Sequence, residues 1–321
     1  MNIKKAILTA SILFGASFSQ AGEPTVDSSK AVSLQPPPLV NPFDTALRPV
    51  TSPTLFDLAI PRTQANLLFI HQRHPDRLST VIGDVPVGGD FQVYALQLEW
   101  ALNERFSLVA AKDGYIDFNP DTTLSKTNGW ANLAAGVKYA FLYKPEDALA
   151  AALNLQVEVP TGNSKVWQGE GDGAVIPSIS AVKLWNGFQF AGNFGARIPF
   201  DNNGDSTTMH ANAHISYAVT KRFSPLVELN YFRVLDEGAG ENRFPAQAGG
   251  AVPSLVTFEG GDLINIGTAN ASDKDFVSLG LGFRYKVTDK IHIGAAYEIP
   301  LTDEEASLMQ SRVTVSAVIR F

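Results

Sequence analysis

Two histidines, His210 and His214, stand either side of Asn212 in a pattern that invites metal-binding or proton-transfer chemistry. The run from Met209 to Val219 alternates apolar and polar residues, which is typical of a β-strand whose successive side chains point to opposite faces. Residues four apart on a strand are separated by about 13 Å, at roughly 3.3 Å per residue. One metal ion cannot bind both imidazoles over that distance. We therefore expect these polar side chains to line an internal space.

Two acidic stretches share features with calcium loops. Residues 201–206 (DNNGDS) offer oxygen atoms at alternating positions, but they lack the glycine at the sixth position and the distal glutamate of a calcium loop. Residues 169–173 (GEGDG) are flexible and acidic. We expect both to be polar loops, with no bound metal and no cofactor.

Lipid hydrolysis is the enzymatic alternative that the sequence leaves open. It would need a serine within reach of a histidine. His71 and His74 lie near the end of a predicted strand, but no Ser-centred motif such as G-x-S-x-G is present. We expect no enzyme activity, and a lipid hydrolase is the least favoured interpretation.

The elements that must position these residues are β-strands. Alternating runs are recognisable at about 64–73, 94–100, 105–117, 133–141, 149–159, 175–185, 188–199, 209–219, 223–234, 277–285, 291–298 and 312–321. The connections after even-numbered runs are short, whereas those after odd-numbered runs are longer and polar. Short turns at one end and long loops at the other are the layout of an outer-membrane β-barrel.

The composition of the polar faces indicates which side meets lipid. These faces carry mainly Asn, Gln, Ser, Gly and His instead of the dense Lys and Glu coat of a solvated surface. Aromatic residues cluster near both ends of the runs, as bilayer interfaces favour. The sequence therefore predicts an all-β fold: a transmembrane antiparallel up-and-down β-barrel of about 12 strands, residues 63–321, in the outer membrane and in contact with its lipid.

The N-terminal residues predict export. Residues 1–21 combine Lys4 and Lys5, a short apolar stretch and small residues before a cleavage site, which is the pattern of a signal peptide. Residues 22–62 are Pro-rich and irregular, and we expect a periplasmic segment or a plug, with a disordered leader as the alternative. The formal net charge is −7, and loss of the two lysines changes it to about −9. A chain this acidic offers no basic stripe for nucleic acid.

The final run ends on Phe321, with Val313, Val315, Ala317 and Ile319 on the same parity. This run resembles the C-terminal signal that outer-membrane proteins present to the barrel assembly machinery. The resemblance implies that this machinery is a partner.

A narrower resemblance rests on residues 157–162 (VEVPTG), residues 169–177 (GEGDGAVIP) and the closing hairpin at residues 276–301. These stretches resemble transporter barrels associated with the meta-pathway of phenol degradation. The resemblance implies outer-membrane passage of small molecules, with aromatic compounds among them.

The sequence thus favours a channel or transporter for passive uptake of small hydrophobic or aromatic solutes. An adhesion or structural barrel acting through its long loops is the alternative. The long loop at 235–275 is expected to fold inward and constrict the pore. The residues predicted to line the lumen are Lys138, Asn154, Gln156, Glu158, Arg197, His210, Asn212, His214, Glu228, Asn230, Arg284, His292, Glu298, Arg312 and Arg320.

Overall fold

Antiparallel strands form the wall of a closed barrel in the computed structural model, which describes residues 41–321. The strands are β1 (Gln64–Arg73), β2 (Arg77–Leu78), β3 (Val85–Pro86), β4 (Asp90–Ala101), β5 (Phe106–Lys112), β6 (Tyr115–Asn119), β7 (Thr127–Trp130), β8 (Leu133–Lys144), β9 (Leu149–Val159), β10 (Ala174–Trp185), β11 (Phe188–Pro199), β12 (Thr207–Tyr217), β13 (Phe223–Asp236), β14 (Asp275–Lys286), β15 (Ile291–Pro300) and β16 (Ser311–Arg320). Short 3₁₀ helices span Pro42–Thr45, Pro145–Asp147, Ser164–Val166, Ala246–Ala248 and Val252–Ser254. The predicted signal peptide, residues 1–21, and residues 22–40 lie outside the described residues. None of the helices in residues 41–321 is long and apolar enough to cross a membrane.

The wall closes because β1 pairs with both β16 and β4. One sheet contains 14 strands. Within it, β5 and β6 are the two halves of one interrupted strand, and β7 and β8 are the two halves of another. Counting each interrupted strand once, 14 minus 2 gives a barrel of 12 strands. The predicted fold class and strand number are confirmed.

The outward face of the wall is apolar, with aromatic residues near both ends. Leucines such as Leu153 and Leu155 are about half exposed in the middle of their strands. Trp100 and Trp185 lie at the short-turn end, and Trp130 lies towards the long-loop end. Because only a closed barrel satisfies all its backbone groups in hydrocarbon, this surface is that of an outer-membrane barrel.

The barrel interior is filled. Residues 41–63 occupy the short-turn half of the lumen, and the long loops contribute side chains to the other half. We call residues 41–63 the plug. By the usual orientation of such barrels, the short-turn end faces the periplasm and the long loops face the outside.

Candidate functional site

The plug packs against the wall through small residues. Phe43, Leu58 and Ile60 of the plug form a buried cluster with alanines of β8 and β9. Alanines at inward positions leave room for these larger side chains, as close packing requires. The sequence left open whether this segment was periplasmic or a plug, and its described part lies in the lumen.

One wall carboxylate, Glu228 on β13, binds the plug backbone. It accepts hydrogen bonds from the N–H groups of Val50 (3.0 Å) and Thr51 (2.6 Å), and from the Thr51 hydroxyl (2.6 Å). His214 Nδ1 on β12 lies 2.7 Å from the same carboxylate. Hydrogen bonds to an ionised acceptor contribute about 1.5–3 kcal/mol each. Glu228 is therefore a strong anchor for the middle of the plug.

A second anchor is a buried ion network around Lys138 on β8. Its ammonium lies 2.6 Å from Asp57 of the plug and 2.8 Å from Glu99 of β4. Arg48 of the plug also pairs with Asp57, at 3.3 Å. Since each charge is paired inside the barrel, removal of one partner would leave a costly unpaired charge.

Polar wall side chains also bind plug carbonyl and amide groups. The Arg284 guanidinium donates to the backbone oxygens of Arg48 (2.8 Å) and Pro49 (2.7 Å). Gln189 makes a reciprocal pair with Leu47, accepting from its N–H and donating to its carbonyl, both at 2.7 Å. These contacts satisfy an irregular backbone that would otherwise be buried without partners.

His214 also connects Glu228 to a serine. His214 Nε2 lies 2.9 Å from Ser216 Oγ, so the order Glu, His, Ser has the connectivity of a hydrolytic triad. All three residues are buried, and the plug covers the carboxylate. A substrate therefore cannot approach Ser216. The hydrogen bonds of Glu228 hold the plug instead. Sequence reasoning missed this contact because Ser216 belongs to no recognisable motif.

The extracellular half of the lumen holds further ion pairs. Glu158 on β9 lies 3.0 Å from Lys112 and 3.6 Å from Arg197. Arg312 on β16 pairs with Glu298 at 2.8 Å and with Asp262 of the long loop at 2.7 Å. A cavity beside Glu158 and Asp262 has a volume of only about 20 Å³. That is room for about one water molecule, so the lumen is closed at this level.

An apolar cluster fills the remainder of the extracellular half. It joins wall residues of β1, β4 and β6 to loop residues, and its largest members are Phe91, Phe118, Trp167, Phe244 and Phe258. The long loop at 235–275 contributes Phe244 and Phe258, so it folds inward; that it constricts a pore remains a proposal. We call this group the apolar cluster.

His74 lies against the aromatic rings of the apolar cluster. Its ring centroid is 5.2 Å from that of Phe118 and 6.3 Å from that of Trp167. Burial lowers the pKa of this loop histidine to about 4, although a hydrogen bond to the Leu308 carbonyl favours its charged form. The imidazole is therefore neutral at neutral pH. In another loop, burial raises the pKa of Asp205 to about 6, although Arg197 lies 3.1 Å away.

A groove of about 880 Å³ lies on the lipid-facing surface where the wall is interrupted. The ladder between β4 and β5 ends at Leu98 and Ala110, and pairing resumes on β6 at Tyr94 and Tyr115. Within this gap the Asp113 carboxylate accepts the Leu96 N–H at 2.9 Å. The groove is lined largely by apolar side chains, including those of Leu96, Trp130, Leu133 and Val315.

All the residues predicted to line the lumen are buried, apart from Arg320, which is half-buried. The structure places His214 in contact with Glu228, and Glu158 in contact with Arg197. It also places Glu298 in contact with Arg312 and Asn230. His210 and His214 face different partners on β13, Phe232 and Glu228. That these residues line a conducting pore stays a prediction.

Other sequence candidates lie in hydrogen-bonded loops. Asp201 caps the N–H of Asn203 at 3.0 Å, and Asp205 pairs with Arg197. Gly169, Gly171 and Gly173 adopt positive φ angles in the loop after β9. Within residues 41–321 no group of three or more His, Asp or Glu side chains is placed to hold a metal ion.

Comparisons with known proteins agree with this geometry. A family model described as "Putative MetA-pathway of phenol degradation" matches residues 77–312. An outer membrane channel from Pseudomonas putida F1 is similar in structure, with a TM-score of 0.56 and 13% identity over 81% of this chain and 96% of that chain. The KdgM porin in complex with disordered oligogalacturonate has a TM-score of 0.43 and 12% identity, over 80% of this chain and 99% of that chain. LpxR from Salmonella typhimurium has a TM-score of 0.47 and 6% identity, over 80% of this chain and 100% of that chain. No curated protein matches the sequence.

Proposed function

The chain belongs to the family described as "Putative MetA-pathway of phenol degradation", and on that premise we propose that it is an outer-membrane channel for passive uptake of small apolar molecules, aromatic compounds among them. Its role is to conduct solute and not to catalyse a reaction. The proposal applies to solutes that can leave water for an apolar environment.

The observation that carries the proposal is the continuity between the apolar cluster and the lipid-facing groove. Ala131 belongs to the cluster and also lines the groove. Ala95 lines the groove and packs against the cluster from the wall. Two small side chains, those of Ala95 and Ala131, therefore lie between the apolar cluster and the lipid-facing groove.

This arrangement supports a sideways route. A solute would enter between the extracellular loops, contact the aromatic side chains and leave through the interrupted wall beside Ala131. Burial of apolar surface from water contributes about 25 cal/mol per Å², and apolar side chains line most of the route, with Asp113 the one acidic residue among the described residues that line the groove. The polar half of the lumen, closed by the plug, would block ions during this passage.

Uptake of radiolabelled toluene by Gram-negative cells that express the protein tests the proposal. We expect Ala131→Trp to bring uptake down towards that of cells without the protein, because indole would fill the small gap. Ala131→Leu fills less of the gap and should give an intermediate rate. It is the second variant in case tryptophan at this position impairs assembly of the barrel. Leu153→Trp, which changes a lipid-facing residue elsewhere on the wall, is the control and should leave uptake unchanged.

The heat-modifiable mobility of each variant on a gel shows whether the barrel has folded. Equal uptake by folded Ala131→Trp and unchanged protein would contradict the route. Equal uptake by cells with and without the unchanged protein would contradict transport itself, and would favour the adhesion alternative.

A further inference from the structure

A cavity of about 300 Å³ lies at the periplasmic end of the lumen, between the plug and the wall strands β12 to β15. Its charged and hydrogen-bonding side chains include those of Lys221, Arg222, Ser224, Arg284, Lys286 and His292. Among the described residues, none of those that line it is an aspartate or a glutamate. The cavity is therefore bounded by positive charge.

Arg284 contributes a buried charge that no carboxylate contacts directly, although Glu228 interacts with it from beyond salt-bridge distance. It is 1% exposed, and its hydrogen bonds go to the carbonyls of Arg48 and Pro49 and to the Ser316 hydroxyl. No carboxylate of residues 41–321 lies within 4.0 Å of its guanidinium. These contacts use three of the five N–H groups that a guanidinium offers. A buried cation of this kind is stabilised by a nearby anion.

The other cations are only weakly compensated. Lys286 pairs with Asp289 at 2.8 Å, but that carboxylate is 95% exposed. Exposed ion pairs contribute little to stability because solvent screens the two charges. Lys221 and Arg222 lie in the exposed turn between β12 and β13, and neither makes an ion pair within the described residues. Asp44 and Asp289 line an adjoining cavity of about 480 Å³, which shares Thr45 and Lys286 with the first.

His292 is the second, independent indication of a ligand. Its side chain lines the cavity and is 2% exposed, and its Nε2 atom has no hydrogen-bond partner within residues 41–321. Buried polar atoms are nearly always hydrogen-bonded, so an unpartnered nitrogen here needs an explanation. An oxygen atom of a bound molecule would provide one after a small movement of the atoms that enclose Nε2.

We propose that this cavity is a binding site for a small oxyanion, either the carboxylate of an organic acid or inorganic phosphate. Guanidinium and ammonium groups form short, charge-assisted hydrogen bonds with both kinds of oxygen. At about 30 Å³ per water molecule, the volume is that of roughly ten waters, which is enough for a small organic acid. The inference is independent of the sideways route, since it concerns binding to the purified protein.

The test is isothermal titration of sodium benzoate, and separately of sodium phosphate, into the purified full chain in uncharged detergent at low salt. We expect saturable binding of at least one anion, and its identity distinguishes the two sources. The double variant Lys221→Gln and Arg222→Gln should weaken that binding roughly tenfold, since two charge-assisted contacts are lost. Both residues are exposed turn residues, so the barrel should still fold.

The matched control is the double variant Arg105→Gln and Lys144→Gln. It also removes two positive charges from exposed residues, one in a short turn and one at the end of β8, and neither residue lines the cavity. We expect its affinity to equal that of the unchanged protein. Absence of saturable binding for both anions, or equal weakening in the two double variants, would overturn the site.

Discussion

Glu228 connects three parts of the molecule. It sits on β13, lies against His214 of β12 and accepts hydrogen bonds from Val50 and Thr51 of the plug. Each bond links an ionised acceptor to a donor in a buried setting, where such bonds are strongest. The carboxylate therefore holds the plug in place as much as any apolar contact does.

Glu228→Gln should release the plug more often. An amide presents N–H₂ donors to backbone donors and carries no charge, so we expect plug binding to weaken by about 3 kcal/mol, which raises the ratio of released to bound plug roughly 100-fold. Chymotrypsin cleavage after Phe56, a buried plug residue, measures the released state. Glu146→Gln, which changes an exposed carboxylate in a short turn, is the control. Cleavage at the same rate in both variants would show that Glu228 does not anchor the plug.

His74 makes the extracellular half of the lumen sensitive to acid. The pKa in the folded protein is about 4, below the ordinary 6.5, so the neutral ring is the one that fits among the aromatic side chains. The stability it contributes is complete above pH 6.5 and is lost as the pH falls towards and through 4.

Trp167 fluorescence should report this change. We expect a transition with a midpoint near pH 4 as protonation of His74 disturbs the packing around Trp167. His74→Phe keeps an aromatic ring without a titrating group, so this transition should disappear. A midpoint near 6.5 in the unchanged protein would contradict the buried, neutral imidazole.

Residue parity predicted the buried polar positions of the wall, such as Glu158 and Arg284, because a regular strand fixes side-chain direction. Lys112 was missed since a bulge between Ala110 and Lys112 shifts the register against β8. Arg48 and Asp57 were missed for a different reason. They lie in an irregular segment, where no periodicity indicates what a side chain contacts.

At the scale of elements, the interrupted wall is the feature that distinguishes this barrel from a continuous one. Gly114 separates β5 from β6 with φ +124°, a conformation that residues with a Cβ rarely adopt. A Cβ there would lie 2.8 Å from the Tyr94 carbonyl oxygen. The close approach of the two chains thus depends on glycine.

Gly114→Ala should destabilise the barrel more than Gly83→Ala. Both positions have positive φ, but a Cβ at Gly83, with φ +101°, would contact nothing within 4 Å. The backbone strain is therefore similar, and the extra clash at Gly114 should cost about 1–3 kcal/mol. Urea unfolding of the refolded barrels in lipid vesicles measures the two free energies. Equal losses would mean that the wall tolerates a side chain at its interruption.

The twelve strands were predictable because the alternation of apolar and polar residues, and the lengths of the connections between the runs, can both be read directly from the sequence. The hairpin of β6 and β7 was not, since residues 118–129 were expected to be a loop and instead include the end of β6 and most of β7. The recognition of Phe321 by the assembly machinery stays a prediction. The structure shows only that its N–H donates to the Thr63 carbonyl, at 3.1 Å, and that its side chain is 76% exposed.

At the scale of the whole molecule, the lumen has two unlike halves. The periplasmic half is filled by the plug, which is held by an ion network and a small apolar cluster. The extracellular half contains the larger apolar cluster beside the gap in the wall, together with the ion pairs of Glu158 and Arg312. This division is the basis of the central claim. Under the proposed function, apolar solutes would leave sideways through the wall, and the plug could stay in place while they do.

The absence of cysteine in the sequence permits a reversible lock on the plug. A Cβ built on Gly280 of β14 would lie 3.6 Å from the Thr51 Cβ of the plug. Disulfides join Cβ atoms about 3.5–4.5 Å apart, so Thr51→Cys with Gly280→Cys should form one.

The most direct test is toluene uptake by cells expressing this double variant, first oxidised and then reduced. We expect equal uptake in the two states, because the sideways route does not require the plug to move. Titration of free thiols in the purified variant before and after reduction verifies that the disulfide has formed and reopened. Toluene uptake that stops on oxidation and returns on reduction would contradict the account, because the solute would then have to pass the plug.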